Sequence, residues 1–133
     1  MYIIIVGCSR VGVNLALSLE NDGHNVVVID RSRESFQKLG RAFSGITIPG
    51  NGFSPDILKE AGIEKADALI AVTDNDNTNI VAVQVAKKMF NIEKTFARIY
   101  DQSRAETYRK MGVETVSATQ LITDRLQQLI FEK

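Results

Sequence analysis

Tyr2-Ile3-Ile4-Ile5-Val6-Gly7-Cys8-Ser9-Arg10-Val11-Gly12 opens the chain with an apolar run that breaks into a glycine-rich turn. A run of β-branched and aromatic residues suits a strand covered on both faces, as in a parallel sheet. A helical pattern follows, and then a second apolar run, Val26-Val27-Val28-Ile29, that stops on Asp30. A turn opening a helix presents unpaired N–H groups at the positive end of the dipole, which favours an anion. An acid closing the next strand stands where a ribose diol lies in a nucleotide-binding βαβ unit. Strand, turn, helix, strand and acid occur here in order and at the right spacing, which a lone glycine hexapeptide does not offer. One position departs from G-x-G-x-x-G: Ser9 replaces the glycine that lets the backbone approach a pyrophosphate closely. Its hydroxyl can instead donate to a phosphate oxygen. The competing reading is an α/β fold whose tight turn simply needs small residues.

Length and composition narrow the classes. The 133 residues suit one domain, 1–133, able to bury roughly two thirds of its unfolded surface. Basic and acidic side chains balance at 16 each, so bulk charge favours neither nucleic acid nor an acidic membrane surface. The lone cysteine, Cys8, has no internal disulfide partner, which fits a reducing compartment. A thiol near a helix N-terminus can have a lowered pKa, but a buried small spacer is the simpler role. No basic stretch precedes the first apolar run, and that run is far too short to span a bilayer. The expectation is a soluble, cytoplasmic protein.

Strands and helices alternate from end to end. Arg10 to Asp22 reads as a helix on the spacing of Val11, Leu15 and Leu19, ended by Asn21-Asp22-Gly23. Ser32 can cap a helix over Arg33–Phe43, and Ile46-Thr47-Ile48 makes a short strand. Ser54-Pro55 starts a helix that reaches Ala61-Gly62. Ala68–Val72 is a fourth strand, and Thr73–Asn79 joins it to a strongly apolar helix ending near Phe90. Thr95–Tyr100 and Val113–Ser117 are strands around a helix from Ser103 to Met111. A final helix, Thr119–Phe131, carries Ile122, Leu126, Leu129 and Ile130 along one side. Such alternation implies a Rossmann-like, doubly wound α/β fold, with six parallel strands in the order 3-2-1-4-5-6 and helices on both faces.

Ligands of such sheets bind at the carboxyl ends of the strands, at the switch point between strands one and four. The loops expected there supply phosphate contacts from Gly7–Gly12, with Arg10 able to pair with phosphate charge. Asp30 accepts from ribose hydroxyls and repels a 2′-phosphate, an exclusion that the adjoining Arg31 softens. Asn51 either reads an adenine edge or is a turn residue with positive φ. Thr73 and Asp74 either cap the next helix or line the pocket beyond the phosphates. Arg98, inside an apolar strand, needs a partner: Asp74, Asp101 or the nucleotide phosphates.

Gly7-Cys8-Ser9-Arg10-Val11-Gly12, Val28-Ile29-Asp30, Gly50-Asn51-Gly52, Ala71–Asn79 and Ala97-Arg98-Ile99 together resemble the TrkA N-terminal, or RCK (regulator of K⁺ conductance), domain family. The resemblance covers essentially the whole chain, and Thr73–Asn79 is its most discriminating part. It implies a non-catalytic, nucleotide-sensing regulatory subunit of a potassium channel or transporter, binding NAD(H) or an adenine nucleotide (ATP, ADP or AMP). It places phosphates on Gly7, Ser9, Arg10, Val11 and Gly12, the ribose on Asp30, and adenine near Asn51 and Gly52. Arg31, Thr73, Asp74 and Arg98 then line the rest. Ser9, where the family often has glycine, favours a mononucleotide. Members commonly form dimers that assemble into rings on a membrane-embedded partner, so the resemblance implies a cytoplasmic protein peripheral to the membrane, without insertion into it. Many carry a further C-terminal subdomain; a chain ending at Lys133 leaves the apolar side of the last helix for another subunit. The alternative is a small NAD-dependent oxidoreductase. Hydride transfer needs an acid or base beside the nicotinamide, and the only histidine, His24, falls at the wrong end of the sheet. A redox-sensing repressor needs a basic DNA-binding module for which there is no patch or spare length.

Overall fold

A computed structural model describes residues 1–132. Its sheet has six parallel strands: β1 (Tyr2–Val6), β2 (Asn25–Asp30), β3 (Ile46–Pro49), β4 (Ala68–Ala71), β5 (Lys94–Ile99) and β6 (Glu114–Ser117). They lie in the order β3-β2-β1-β4-β5-β6, as the alternation implies. β1 is central, with Ile4 opposite Val27 on one side and Leu69 on the other. Both faces of β1 are covered, which is why its apolar residues run without alternation. Ile4, Val27, Ile29 and Leu69 face a core shared with Leu58 of α2 (Pro55–Glu60) and Ile80 and Val83 of α3 (Asp76–Phe90). Ile3, Ile5, Val26 and Val28 face Val13 and Ala16 of α1 (Arg10–Asn21). α4 (Ala105–Lys110) joins the first layer through Tyr108, and α5 (Ala118–Phe131) closes the chain.

Two elements differ from their sequence reading. Arg33–Leu39 is a 3₁₀ segment ended by Gly40, not an α-helix to Phe43. Phe36 and Leu39, its core-facing residues, are three apart, which matches the three residues per turn of a 3₁₀ helix. Ser32 makes no side-chain cap there. α3 starts at Asp76, so the end of the expected joining loop is already helical, with Asn75 as its cap.

The layers are uneven. α1 and the 3₁₀ segment leave the sheet open over β4 to β6 on their side. There a cavity of about 230 Å³ is lined by Val11, Leu15, Ile70, Phe96, Val116 and Leu121. α5 shows its apolar stripe to solvent, with Ile130 at 71% and Phe131 at 79% exposed.

The close approach of α1 to β1 fixes the position of the glycine turn. A Cβ on Gly12 would lie 2.0 Å from the Gly7 carbonyl oxygen. A Cβ on Gly7, whose φ is +111°, would lie 2.8 Å from the Thr73 backbone nitrogen. Gly12→Ala is therefore expected to lower the unfolding free energy in urea by about 2–3 kcal/mol, the cost of overpacking a site without room. Gly23→Ala meets nothing within 4 Å and carries only the strain of φ +90°, so it should cost about 1 kcal/mol. Equal stability of Gly12→Ala and the parent would contradict this packing.

Candidate functional site

The turn between β1 and α1 has a cavity on either side. One, of about 370 Å³, brings together Asp30, Arg31, Asn51, Gly52, Thr73 and Asp74. The other, of about 660 Å³, is lined by Ser9, Arg10 and Val11 on one wall and Lys38, Arg98 and Tyr100 on the others. Gly7 and Gly12 hold the turn between them. The residues singled out from the sequence thus converge on the carboxyl ends of the strands, although their side chains are used differently from the first reading.

Ser9 is the cap of α1: its hydroxyl accepts from Gly12 N (3.2 Å) and donates to the Val72 carbonyl (2.7 Å). The hydroxyl proton that the sequence reading offers to a phosphate oxygen is given in this structure to the Val72 carbonyl. Asp30 is already a hub, accepting from Cys8 N (2.7 Å) and Ser32 N (2.8 Å) on different oxygens. Each oxygen keeps a free lone pair for a further donor. Cys8 is buried, and its thiol donates to the Ser35 carbonyl. Burial, aided by the Asp30 charge and partly offset by Lys38, pushes its pKa up rather than down. Cys8 is therefore a packed spacer.

Asn75, rather than Thr73 or Asp74, caps α3 by accepting from Thr78 N (3.0 Å). Thr73 is bound to Asn79, a residue that the sequence reading left in the joining loop. Asn79 is fully buried. Its amide oxygen accepts from Thr73 N (2.9 Å) and Thr73 Oγ1 (2.6 Å). Its amide nitrogen donates to the carbonyls of Thr73 (3.1 Å) and Arg98 (2.9 Å). Asp76 adds a second link, accepting from Tyr100 N (2.8 Å) and Asp101 N (2.9 Å). The loop after β4 is thereby tied to the end of β5. A polar residue in the buried stripe Asn79-Val83-Ala86 was the available signal.

Arg98 meets neither Asp74 nor Asp101. Among the described residues the one ion pair joins Arg109 to Glu106. The Arg98 guanidinium lies 4.4 Å from the centre of the Tyr100 ring. Asn51 does not occupy a positive-φ turn, since among the described non-glycine residues only Asn91 has positive φ. Among the described residues, two buried side-chain polar atoms lack a hydrogen-bond partner: Asn51 Oδ1 and Arg98 Nε. Buried polar atoms are almost always paired; Asn51 is among the residues lining the smaller cavity, and Arg98 lines both the larger one and the apolar cavity over β4 to β6. One is an acceptor wanting a donor; the other is a donor wanting an acceptor. An amino or hydroxyl group on the first side and an anion on the second would satisfy both. His24 is remote from this site, with Nδ1 3.0 Å from the Met1 amino group.

The family model described as "TrkA-N domain" matches residues 3–119. The Trk system potassium uptake protein TrkA of Streptomyces coelicolor is 49% identical over 126 residues, covering 95% of this chain and 56% of that protein. A TrkA homolog from Pyrococcus abyssi is 35% identical over 111 residues, covering 84% of this chain and 49% of that protein. The chain thus spans about half the length of these relatives. Among solved structures, the TrkA-N domain of the inner membrane protein ybaL from Escherichia coli superposes with a TM-score of 0.86 at 24% identity, covering 98% of this chain and 96% of that one. The Shewanella denitrificans Kef CTD in AMP-bound form gives 0.83 at 22% identity, covering 100% and 84%. The GsuK channel bound to NAD gives 0.79 at 22% identity, covering 96% and 23%. At these identities the structures establish the likeness of fold.

Asn79→Leu keeps the number of side-chain heavy atoms but removes the amide, stranding the Arg98 carbonyl and the Thr73 amide. It is expected to cost about 3 kcal/mol in urea unfolding, from buried groups left unpaired. A loss below about 1 kcal/mol would show that water replaces the amide without penalty. Native Cys8 should react with a thiol reagent at pH 8 far more slowly than after unfolding in urea. A native rate equal to the unfolded rate would contradict its burial and raised pKa.

Proposed function

This chain belongs to the TrkA-N domain family, and we propose that it is the nucleotide-sensing regulatory part of a potassium channel or transporter. The observation that carries this reading is the pair of unpartnered buried atoms on either side of a glycine turn that already presents helix amides. Asn51 Oδ1 suits the amino edge of adenine, and Asp30, with lone pairs to spare, suits ribose hydroxyls. The amides opening α1, together with Arg10, suit phosphate. Gly52 is buried against Val6 and lines the same cavity as Asn51. Arg31, Thr73 and Asp74 complete the wall. The ligand class is an adenine nucleotide or NAD(H).

Regulation then takes the form of a population shift, because a ligand moves an equilibrium only through its differential affinity for two states. Asn79 and Asp76 join the wall of the nucleotide cavity to the end of β5, and β5 pairs with β6, which leads into α5. The exposed apolar stripe of α5 and the open sheet face beside it form the surface for a second copy of the chain, within a homodimer or larger ring. Its membrane-embedded partner is a potassium channel or transporter, the role supported by the names of the similar proteins. No helix of the described residues is long and apolar enough to cross a membrane, so membrane contact in this reading comes through that partner, from the cytoplasmic side. The domain acts without catalysis: the lone histidine is at the opposite end of the sheet from the site. The position of His24 favours this reading over the oxidoreductase alternative.

Calorimetric titration should detect binding of at least one of ATP, ADP, AMP, NAD⁺ or NADH. Asp30→Ala should weaken it by about tenfold or more, the loss of hydrogen bonds to a charged group. Equal affinity in both proteins would remove the ribose role. Light scattering at micromolar concentration should report a dimer or larger species that Leu126→Glu/Ile130→Glu dissociates. A wild-type monomer would contradict the role given to α5.

A further inference from the structure

The cavity on the open side of the sheet is of another kind from the two beside the glycine turn. Its floor comes from three neighbouring strands, where the parallel register sets Ile70 beside Phe96 and Arg98 beside Val116. Phe96 and Arg98 are two apart on β5 and therefore share that face. Val11 and Leu15 of α1 wall it on one side and Leu121 of α5 on the other. Every residue that lines it is apolar except Arg98. Phe96 and Val116 keep 36% and 40% of their surface exposed, so the chain's own helices leave this floor uncovered. Arg98 stands between this cavity and the larger, basic one that it shares with Arg10 and Lys38, and no carboxylate of the described residues lines either. Its guanidinium packs on the Tyr100 ring at 4.4 Å, and its Nε is buried without an acceptor. Stacking covers a face of the guanidinium and leaves its edge unused. A charge set among apolar groups calls for a counter-charge.

An occupant that suits both features has an apolar body and one anionic end. The guanidinium edge, Nε with its neighbouring amino group, matches the two oxygens of a carboxylate in a forked pair of hydrogen bonds. An apolar cavity of about 150 Å³ holds a benzene ring, so about 230 Å³ has room for a ring or branched chain with a short arm. The apolar stripe of a second α5 would cover the mouth, but leucine and isoleucine offer Arg98 no acceptor. We infer that the apolar cavity over β4 to β6 is a binding site for a small aromatic or branched-chain carboxylate, its body on Phe96 and Val116 and its carboxylate on the Arg98 edge. The site is separate from the nucleotide cavity and does not depend on the nucleotide reading.

Titration of the whole chain with 3-phenylpropanoate, followed by amide NMR shifts, tests the site, because the spectrum reports both the location of binding and the fold of each variant. Binding with a Kd of about 1 mM or tighter is expected, with shifts gathered at Phe96–Arg98, Val116 and Leu121. The neutral 3-phenylpropanamide should bind about tenfold more weakly, the loss of hydrogen bonds to a charged group. Acetate, which has the charge without the body, should give no shifts there. Arg98→Met should bring the carboxylate down to the affinity of the amide. Val116→Phe, at a part-exposed position on the edge strand, should fill the floor and abolish binding of both. No binding at about 10 mM, equal affinity for acid and amide, or unchanged affinity in Val116→Phe would overturn the proposal. Binding to Leu126→Glu/Ile130→Glu but not to wild type would also overturn it, since a second copy would then be the occupant.

Discussion

The contact on which the site depends is the approach of α1 to the end of β1, where Gly12 packs against the Gly7 carbonyl with no room for a methyl group. It brings the first turn of the helix directly over the sheet, so that its free amides converge where the central strands end. It also divides the space above the strands into a cavity on each side of the turn. Ser9 strengthens the arrangement by joining the turn to Val72 and capping α1 with the same hydroxyl. A glycine at that position would let a ligand approach more closely but would lose this link between β1, α1 and β4. The serine thus serves the scaffold, and in the proposed reading the backbone amides are left for the ligand.

Around this turn the polar groups fall into two kinds. Asp30, Asn75, Asp76 and Asn79 are satisfied by the protein itself and hold loops in place. Asn51 and Arg98 are not, and they stand at the walls of the two cavities. Buried unpaired groups each cost about 1–3 kcal/mol, so a ligand that pairs with either recovers that stability on binding. Asn79 matters for a different reason. Its bonds run from the loop after β4 to the backbone of β5, giving the loop and the strand a shared constraint. In the proposed regulation, a ligand-dependent change in the position of Thr73 would pass through the Asn79 bonds to the backbone at Arg98. A chain of packed, hydrogen-bonded elements of this kind is a physical route for coupling, and its two arrangements are the subject of the proposed regulation.

Much of this was legible in the sequence because period and punctuation agree. Continuous apolar runs, glycines past helix ends and the acid closing β2 yield the parallel sheet, its order and the end of the strands where the candidate residues gather. What was not legible depended on choices among similar local options. Asp74, Asn75, Asp76 and Asn77 can all cap a helix, and which of them does so decides whether Asn79 lies in a loop or in the buried stripe of α3. The segment after β2 has helix-forming residues, but only Phe36 and Leu39 reach the core, and a spacing of three favours the tighter helix. The side-chain partners of Ser9 and Arg98 depend on strands far apart in sequence. Lys38, separated from Arg98 by the length of the sheet order, carried no local mark of a shared cavity.

The central claim is that an adenosine phosphate lies across the glycine turn, with its nucleoside on the Asp30 and Asn51 side. A crystal structure grown with saturating ATP tests it most directly. The account expects density with ribose oxygens about 3 Å from the Asp30 carboxylate, the adenine edge on Asn51 Oδ1 and phosphates over the start of α1. An empty cleft under those conditions, or a nucleotide whose base lies in the basic cavity and whose phosphates lie beside Asp30, would contradict it.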